Sequence, residues 1–300
     1  MKKETRRQFQ YVLVRLIVLF IQLVPRRWAL ALCGRLSALA WAVLPRERAK
    51  VLFNLRLVFP QMTDPGRFGK TVFRQLALNM VDAARLPVMS AHDIDRLVTV
   101  EGLGHFGAAY RRGRGLIAVT GHIGCWELIP AWFSRHGYDI AVVGKRAYDD
   151  RLAALVTGLR ARHGVATFDR DSGARQILRH LQRGGGLGIL IDQDTRVASV
   201  DAMFFGRAAK TPSGAAAIAA KTGCAVVPLA IHRRPDGRHV LTVRPQLPQD
   251  GRADLAALVQ RQTAAVEELI TIDITQWVWM HLRWKEKPGD PARPGRDRTA

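Results

Sequence analysis

The chain has 300 residues and a hydrophobic fraction of 48%, enough to bury one sizeable core. Its 46 Lys and Arg against 25 Asp and Glu leave a net charge of +21, which calls for an anionic partner: a membrane, an acidic protein or substrate, or a nucleic acid. Three widely separated cysteines, Cys33, Cys125 and Cys224, with no CxxC spacing, exclude a disulfide framework and read as small apolar fillers in a reducing compartment.

The charge is concentrated at the start. Residues 1–60 hold twelve Lys/Arg and two acids, Glu4 and Glu47. The same region has the most apolar runs. Positions 11–24 are interrupted only by Arg15 and Gln22, and 28–44 only by Gly34, Arg35 and Ser37. Neither run reaches the ~20 apolar residues of an uninterrupted span. No small-residue cleavage site follows the first, so a signal peptide is not expected. Two basic, apolar helices broken at Pro25 predict an N-terminal segment, 1–45, that lies on or dips into an anionic membrane surface. Tyr11, Trp28 and Trp41 suit its interface. The alternatives are a buried helix pair and a single tilted span. The basic flanks predict that the rest of the chain is cytoplasmic. A nucleic-acid partner is not expected, because it calls for basic residues interleaved with exposed aromatics or for a recognition helix.

Residues 46–98 read as helical, with a start signal at Asp64-Pro65. Strands follow at 116–120, 139–143, 165–168, 187–192, 225–231 and 239–244. Helices are expected at 125–136, 150–162, 173–183, 212–222 and 252–272. This alternation predicts an α/β domain over 46–287, with a central, largely parallel or mixed sheet flanked by helices. The tail, 288–300, is rich in Pro, Gly, Arg and Asp and reads as disordered.

The most informative stretch is Thr120-Gly121-His122-Ile123-Gly124-Cys125-Trp126-Glu127. His122 falls on a strand-to-helix turn and Glu127 about a turn into the helix. Side chains on such turns gather around ligands at the carboxyl ends of strands. An imidazole beside a carboxylate removes a proton from a hydroxyl, the carboxylate fixing the tautomer. The plain alternative is a solvated or capping histidine. Gly121 and Gly124 would let backbone and substrate approach the ring.

Four other groups stand out. Arg146, in Lys145-Arg146-Ala147-Tyr148-Asp149-Asp150, can hold a phosphate bidentately or be plain surface charge. Arg160 and Arg162 can join an anionic pocket or complement a helix dipole. Asp192 and Asp194 end a strand, and a charge partner for Arg146 is favoured over turn caps or a metal site, since companion ligands are too few. Thr211-Pro212-Ser213-Gly214 reads as a helix start with Thr211 as cap; its amides can bind phosphate, though a structural cap is the simpler use. GxSxG, HExxH and paired Cys/His spacings are absent, so neither a serine hydrolase triad nor a zinc site is expected.

Gly121-His122-x-Gly124-x-Trp126-Glu127 resembles the motif of the late acyltransferases of lipid A biosynthesis, a branch of the glycerolipid acyltransferase superfamily. Leu44-Pro45-Arg46 and Asn54-Leu55-Arg56-Leu57-Val58-Phe59-Pro60 are similar to that family's opening blocks. Arg146 and Asp149 match its Arg-Pro-x-Asp-Asn block, and Asp192-Gln193-Asp194 its second acidic site. Phe204-Phe205-Gly206-Arg207 with Thr211–Gly214, Thr222–Pro228, and Gln276–Trp279 with Arg283-Trp284-Lys285 follow in order. Cys125 departs, standing where the family has a small polar residue.

The resemblance implies a glycerolipid acyltransferase-like fold and a membrane-associated O-acyltransferase at the cell inner membrane. The implied donor is an acyl carrier protein thioester. The implied acceptor is a hydroxyl on a phosphorylated glucosamine lipid. His122 would be the base and Glu127 its orienting partner. Arg146, Asp149, Asp192, Asp194, Thr211 and Ser213 would handle substrate. No cofactor is implied, because a thioester is already activated. Lysophosphatidate, an ornithine lipid or a phosphatidylinositol mannoside are alternative acceptors. Against the first, Gly121 and Glu127 stand where that branch has Asn-His-x-x-x-x-Asp.

Overall fold

The computed structural model describes residues 3–144, 150–194, 197–248 and 254–284. Five helices open the chain: α1 (Lys3–Leu23), α2 (Arg26–Val43), α3 (Pro45–Val58), α4 (Pro65–Arg85) and α5 (Ala91–Leu97). Pro25 separates the first two, and α4 starts as expected, with Pro65 in its first turn and the Asp64 carboxylate accepting from the Arg67 amide at 2.8 Å.

The α/β part follows as β1 (Val98–Glu101), α6 (Leu103–Tyr110), β2 (Leu116–Thr120), α7 (Leu128–Arg135), β3 (Ile140–Gly144), α8 (Asp150–Ala161), β4 (Ala166–Asp169), α9 (Ala174–Gln182) and β5 (Gly186–Leu190). An antiparallel hairpin, β6 (Ser199–Phe204) and β7 (Arg207–Pro212), interrupts it. Then come α10 (Gly214–Thr222), β8 (Ala225–Arg233), β9 (His239–Val243) and α11 (Leu255–Thr271). The main sheet has seven strands in the order β1-β9-β8-β2-β5-β3-β4. Every neighbouring pair is parallel except β8 and β9. The expected flanked, mostly parallel sheet is therefore the fold.

β2 and β8 are buried along their whole length, as strands covered by helices on both faces must be. From β2 the chain leaves toward β3, and from β5 it leaves toward β8 on the other side. The carboxyl ends of β2 and β5 thus form a switch point, where a crevice opens for ligands.

Two expected helices start later than the sequence suggests. α7 begins at Leu128, so Glu127 sits at its N-cap position rather than a turn inside. α10 begins at Gly214, because Thr211 and Pro212 pair with Val200 and Ser199 as the last residues of β7.

Helices α1 and α2 pack on α4 by one side only. The α2 side includes Trp41, whose ring meets Phe73 edge-on at 5.1 Å. Its other side leaves Trp28, Leu32, Leu36, Leu39 and Val43 exposed, a single stripe at helical spacing. On α1, Phe9, Val12, Leu13, Leu16, Ile17, Phe20 and Leu23 are exposed. Among the described residues no single helix is long and apolar enough to cross a membrane; α2 and α3 pass together by length and composition but meet at 89°.

A buried carboxylate ties these helices to the sheet. Asp82, on α4, accepts two hydrogen bonds from Arg26 at the start of α2 (2.7 and 2.8 Å). It also accepts from Arg233 on β8 (2.7 Å) and from His239 Nε2 on β9 (2.9 Å). Burial alone would raise its carboxyl, but these donors hold it well below the usual carboxylate range. Removing one member of a buried ion cluster leaves the others uncompensated. We expect Asp82→Ala to lose about 3–5 kcal/mol in urea unfolding. Arg26→Ala, whose side chain is 25% exposed, is expected to lose less.

Candidate active site at the carboxyl ends of β2 and β5

Strand register builds the site. Thr120 pairs with Leu190 at the ends of β2 and β5, and the Ile191 amide donates to the Thr120 carbonyl at 3.0 Å. Two residues beyond each paired end stand His122 and Asp192. His122 Nδ1 lies 2.8 Å from Asp192 Oδ1, and the His122 amide donates to Asp192 Oδ2 at 2.7 Å. The Trp277 indole N–H donates to the same Oδ2, also at 2.7 Å. Asp192 is 1% exposed in its side chain and His122 25%. The carboxylate fixes Nδ1 as the proton-bearing nitrogen, so Nε2 is the free base, without a partner among the described residues. Burial alone would raise the Asp192 carboxyl; His122 beside it and the indole N–H hold it at about 2.

Two glycines make this possible. A Cβ on Gly121 would stand 3.0 Å from Asp192 Oδ2, in the space the carboxylate needs. Gly124 has φ +58, and a Cβ there would stand 2.0 Å from the Ile231 carbonyl oxygen. The segment after α11 braces the turn from outside. The Gly124 amide donates to the Gln276 carbonyl (3.0 Å), the Val278 amide to the His122 carbonyl (3.2 Å), and Ile123 bridges to Trp277. Gln276 in turn exchanges side-chain hydrogen bonds with the Arg233 backbone.

Glu127 is held elsewhere. Both its oxygens accept from Arg160 on α8, at 2.6 and 2.7 Å, and no hydrogen bond or ion pair joins it to His122. Trp126, between them in sequence, presents its ring edge-on to His122 at 5.0 Å. Trp126, Glu127 and Arg160 line one end of a crevice of about 550 Å³. Apart from Thr120 the rest is apolar, including Phe106, Ile129, Phe133, Ile140, Val142 and Leu187. This is a narrow slot suited to a thin apolar chain.

The family model described as bacterial lipid A biosynthesis acyltransferase matches residues 1–286. The chain belongs to that family. A lipid A biosynthesis lauroyltransferase of Escherichia coli (strain K12) is 28% identical over 271 residues, covering 87% of this chain and 86% of that protein. A phosphatidylinositol mannoside acyltransferase of Mycolicibacterium smegmatis is 23% identical over 216 residues, covering 71% of this chain and 70% of that one. Among solved structures, the 1-acyl-sn-glycerophosphate acyltransferase of Thermotoga maritima aligns with a TM-score of 0.39 at 17% identity, over 82% of this chain and 95% of that one; we rest nothing on that likeness. Family membership carries the coarse activity: acyl transfer to a lipid acceptor.

In this acyltransferase the residues singled out in the sequence divide as follows. His122 and Asp192 meet. Glu127 meets Arg160, not His122. Arg146 and Asp149, and with them the expected Arg146–Asp192 pair, lie outside the described residues. Asp194 is exposed, and its carbonyl accepts from His281 Nε2 at 3.1 Å. Thr211 is fully buried in a strand, not a helix cap, and its hydroxyl accepts from Arg283 at 2.6 Å. The Ser213 hydroxyl donates to the Ala198 carbonyl at 3.1 Å and makes no side-chain cap. Cys125 is buried, and burial pushes its thiol far above the usual range, as expected of a filler. Gln276 and Trp277 stood out in the sequence only as part of a closing block with no role assigned; the structure places both at this site.

The low Asp192 value has a stability consequence. A carboxyl depressed in the folded state stabilises the fold above its unfolded value of about 3.9. That contribution is lost as pH falls through about 2. Melting temperature is therefore expected to fall more steeply from about pH 5 to pH 2 in the wild type than in Asp192→Asn.

Proposed function

We propose that this chain is a membrane-associated O-acyltransferase that moves a fatty acyl group from an acyl carrier protein thioester to a hydroxyl of a phosphorylated glucosamine lipid, a lipid A precursor. The observation that carries the reading is the His122 Nδ1–Asp192 Oδ1 contact, with Trp126, edge-on to the His122 ring, lining the apolar crevice. The acyl chain lies in the crevice, with its thioester at the Trp126 end. His122 Nε2 takes the proton of the acceptor hydroxyl, and Asp192 stabilises the imidazolium. The acceptor oxygen attacks the thioester carbonyl, a C–O bond forms, and the C–S bond breaks. The proton held by His122 passes to the departing thiolate.

The tetrahedral oxyanion needs donors. The Gly124 amide is taken by Gln276 and the Leu128 amide by Cys125, which leaves the amides of Cys125, Trp126 and Glu127 without an acceptor among the described residues. These three serve as the oxyanion donors. Glu127 and Arg160 form a fixed ion pair at the crevice mouth. Arg146 and Asp149 bind substrate phosphate and its surroundings, and Asp194 contributes from the adjoining loop. No cofactor is needed. The exposed stripes of α1 and α2 rest on the anionic inner membrane from its cytoplasmic side, and the +21 charge serves both the carrier protein and the lipid phosphates. The phosphatidylinositol mannoside acyltransferases among the relatives support a second reading, in which another glycolipid is the acceptor.

Transfer is measured with an acyl carrier protein thioester and a phosphorylated glucosamine lipid, with circular dichroism as a folding check. His122→Ala is expected to lose about 10²–10⁴-fold, and Asp192→Asn similarly, with the double variant little worse than either. A folded His122→Ala protein with near wild-type transfer overturns the mechanism. Transfer only to a phosphatidylinositol mannoside selects the second reading.

Glu127 and Arg160 are expected to behave as a separate unit. Glu127→Ala and Arg160→Ala should each impair transfer, with a double variant no worse than the poorer single, because each leaves the other charge unpaired.

A further inference from the structure

Away from the crevice, a second, wider concave site of about 1010 Å³ lies between α2, α4 and the turn joining β8 to β9. Arg74 and Arg234 line it; Arg74 makes no hydrogen bond or ion pair among the described residues, and Arg234 acts electrostatically on Asp236. The carboxylates nearby are already engaged. Asp236 accepts from the Arg238 amide and guanidinium at 2.9 and 3.0 Å. Asp273 accepts from Thr275 and Gln276. Arg233, at the back, is consumed by Asp82, Asn79 and backbone carbonyls. The site therefore presents one uncommitted positive charge, Arg74, beside a second, Arg234, shared with Asp236. Gln75 Oε1 is buried there with no donor.

Its position adds a second constraint. The α2 side of the notch is Leu30 and Ala31. On the same helix Trp28 is 60% and Leu32 40% exposed, within the open apolar stripe. A helix lying in a membrane interface sinks its apolar face roughly 5–10 Å. The helix is about 10–12 Å across with its side chains. The notch opens at the Ala31 flank, with Leu30 on the α4-facing side, and so stands at or just above the level of the lipid phosphates. We propose that this notch binds the head group of an anionic membrane phospholipid, with Arg74 and Arg234 on the phosphate. The occupant is a glycerophosphate head such as that of phosphatidylglycerol, and it fixes α2 and the domain on the bilayer. This rests on the reading of α1 and α2 as a membrane face.

The test uses the full chain and sedimentation with vesicles of phosphatidylcholine alone, or mixed with phosphatidylglycerol or phosphatidylserine. The variant is Arg74→Gln/Arg234→Gln. Its control removes the same charge at the opposite end of the sheet, with Arg112→Gln/Arg114→Gln. We expect the notch variant to bind phosphatidylglycerol vesicles roughly 10–30-fold more weakly, and the control to change less than about threefold. Transfer in detergent micelles and the melting temperature should stay at wild-type values, since neither arginine touches the His122 site. Equal losses in notch and control variants would mean diffuse charge attraction and overturn the site, as would wild-type binding by the notch variant. Competition by millimolar inorganic phosphate without vesicle dependence would assign the notch to a soluble anion instead. If the wild type binds none of the vesicles, the membrane reading fails together with the notch.

Discussion

One buried carboxylate organises the reactive end of this molecule. Asp192 receives the ring and amide of His122 from the end of β2 and the indole of Trp277 from the segment after α11. Three stretches of chain, at positions 122, 192 and 277, are fastened to one group that water barely reaches. In such surroundings each hydrogen bond is stronger than in water, and each unsatisfied group costs more. The arrangement is therefore close to all-or-none. An imidazole set this way has one proton position and little rotational freedom before any substrate arrives, which is the preorganisation a general base requires.

Around that carboxylate the aromatic residues form a continuous support. Trp277 meets Trp279 edge-on at 4.6 Å and Phe204 at 5.5 Å, and Trp279 contacts Phe59 from the helical part at 5.8 Å. Asn54 donates to the carbonyls of Trp279 and His281, both at 2.8 Å. The opening block around residues 54–60 and the closing block around 276–284 are thus parts of one assembly, although more than two hundred residues apart in sequence.

Much of this was legible from the sequence. Alternating apolar runs gave six of the strands, because parallel strands buried on both faces read as unbroken hydrophobic segments. Two features hid the β6–β7 hairpin. Its turn is Phe205-Gly206, with Phe205 at φ +50, a conformation a bulky residue rarely adopts, and Pro212 suggested a helix start. β1 was missed because four residues leave little periodicity to detect. His122 and Asp192 were both visible as residues at the carboxyl ends of strands. Their pairing was not, because it depends on β5 inserting beside β2, and strand order is not written in local pattern. Glu127 attracted the role of partner by its nearness in sequence. Arg160 claims it instead, from a helix that returns only after β3. Trp277 was visible as part of the closing block, but nothing in its spacing told that its indole would reach Asp192.

The clamp on Asp82 has a mechanical meaning. Arg26 reaches it from the first turn of α2, while Arg233 and His239 reach it from neighbouring strands of the sheet. Rotation of α2 against the sheet would strip donors from a carboxylate with no water to replace them. The junction is a weld rather than a hinge. Whatever surface takes hold of α2 therefore sets the height and tilt of His122 above it, and that end of the sheet has little freedom to swing. Substrates must be delivered to a fixed level.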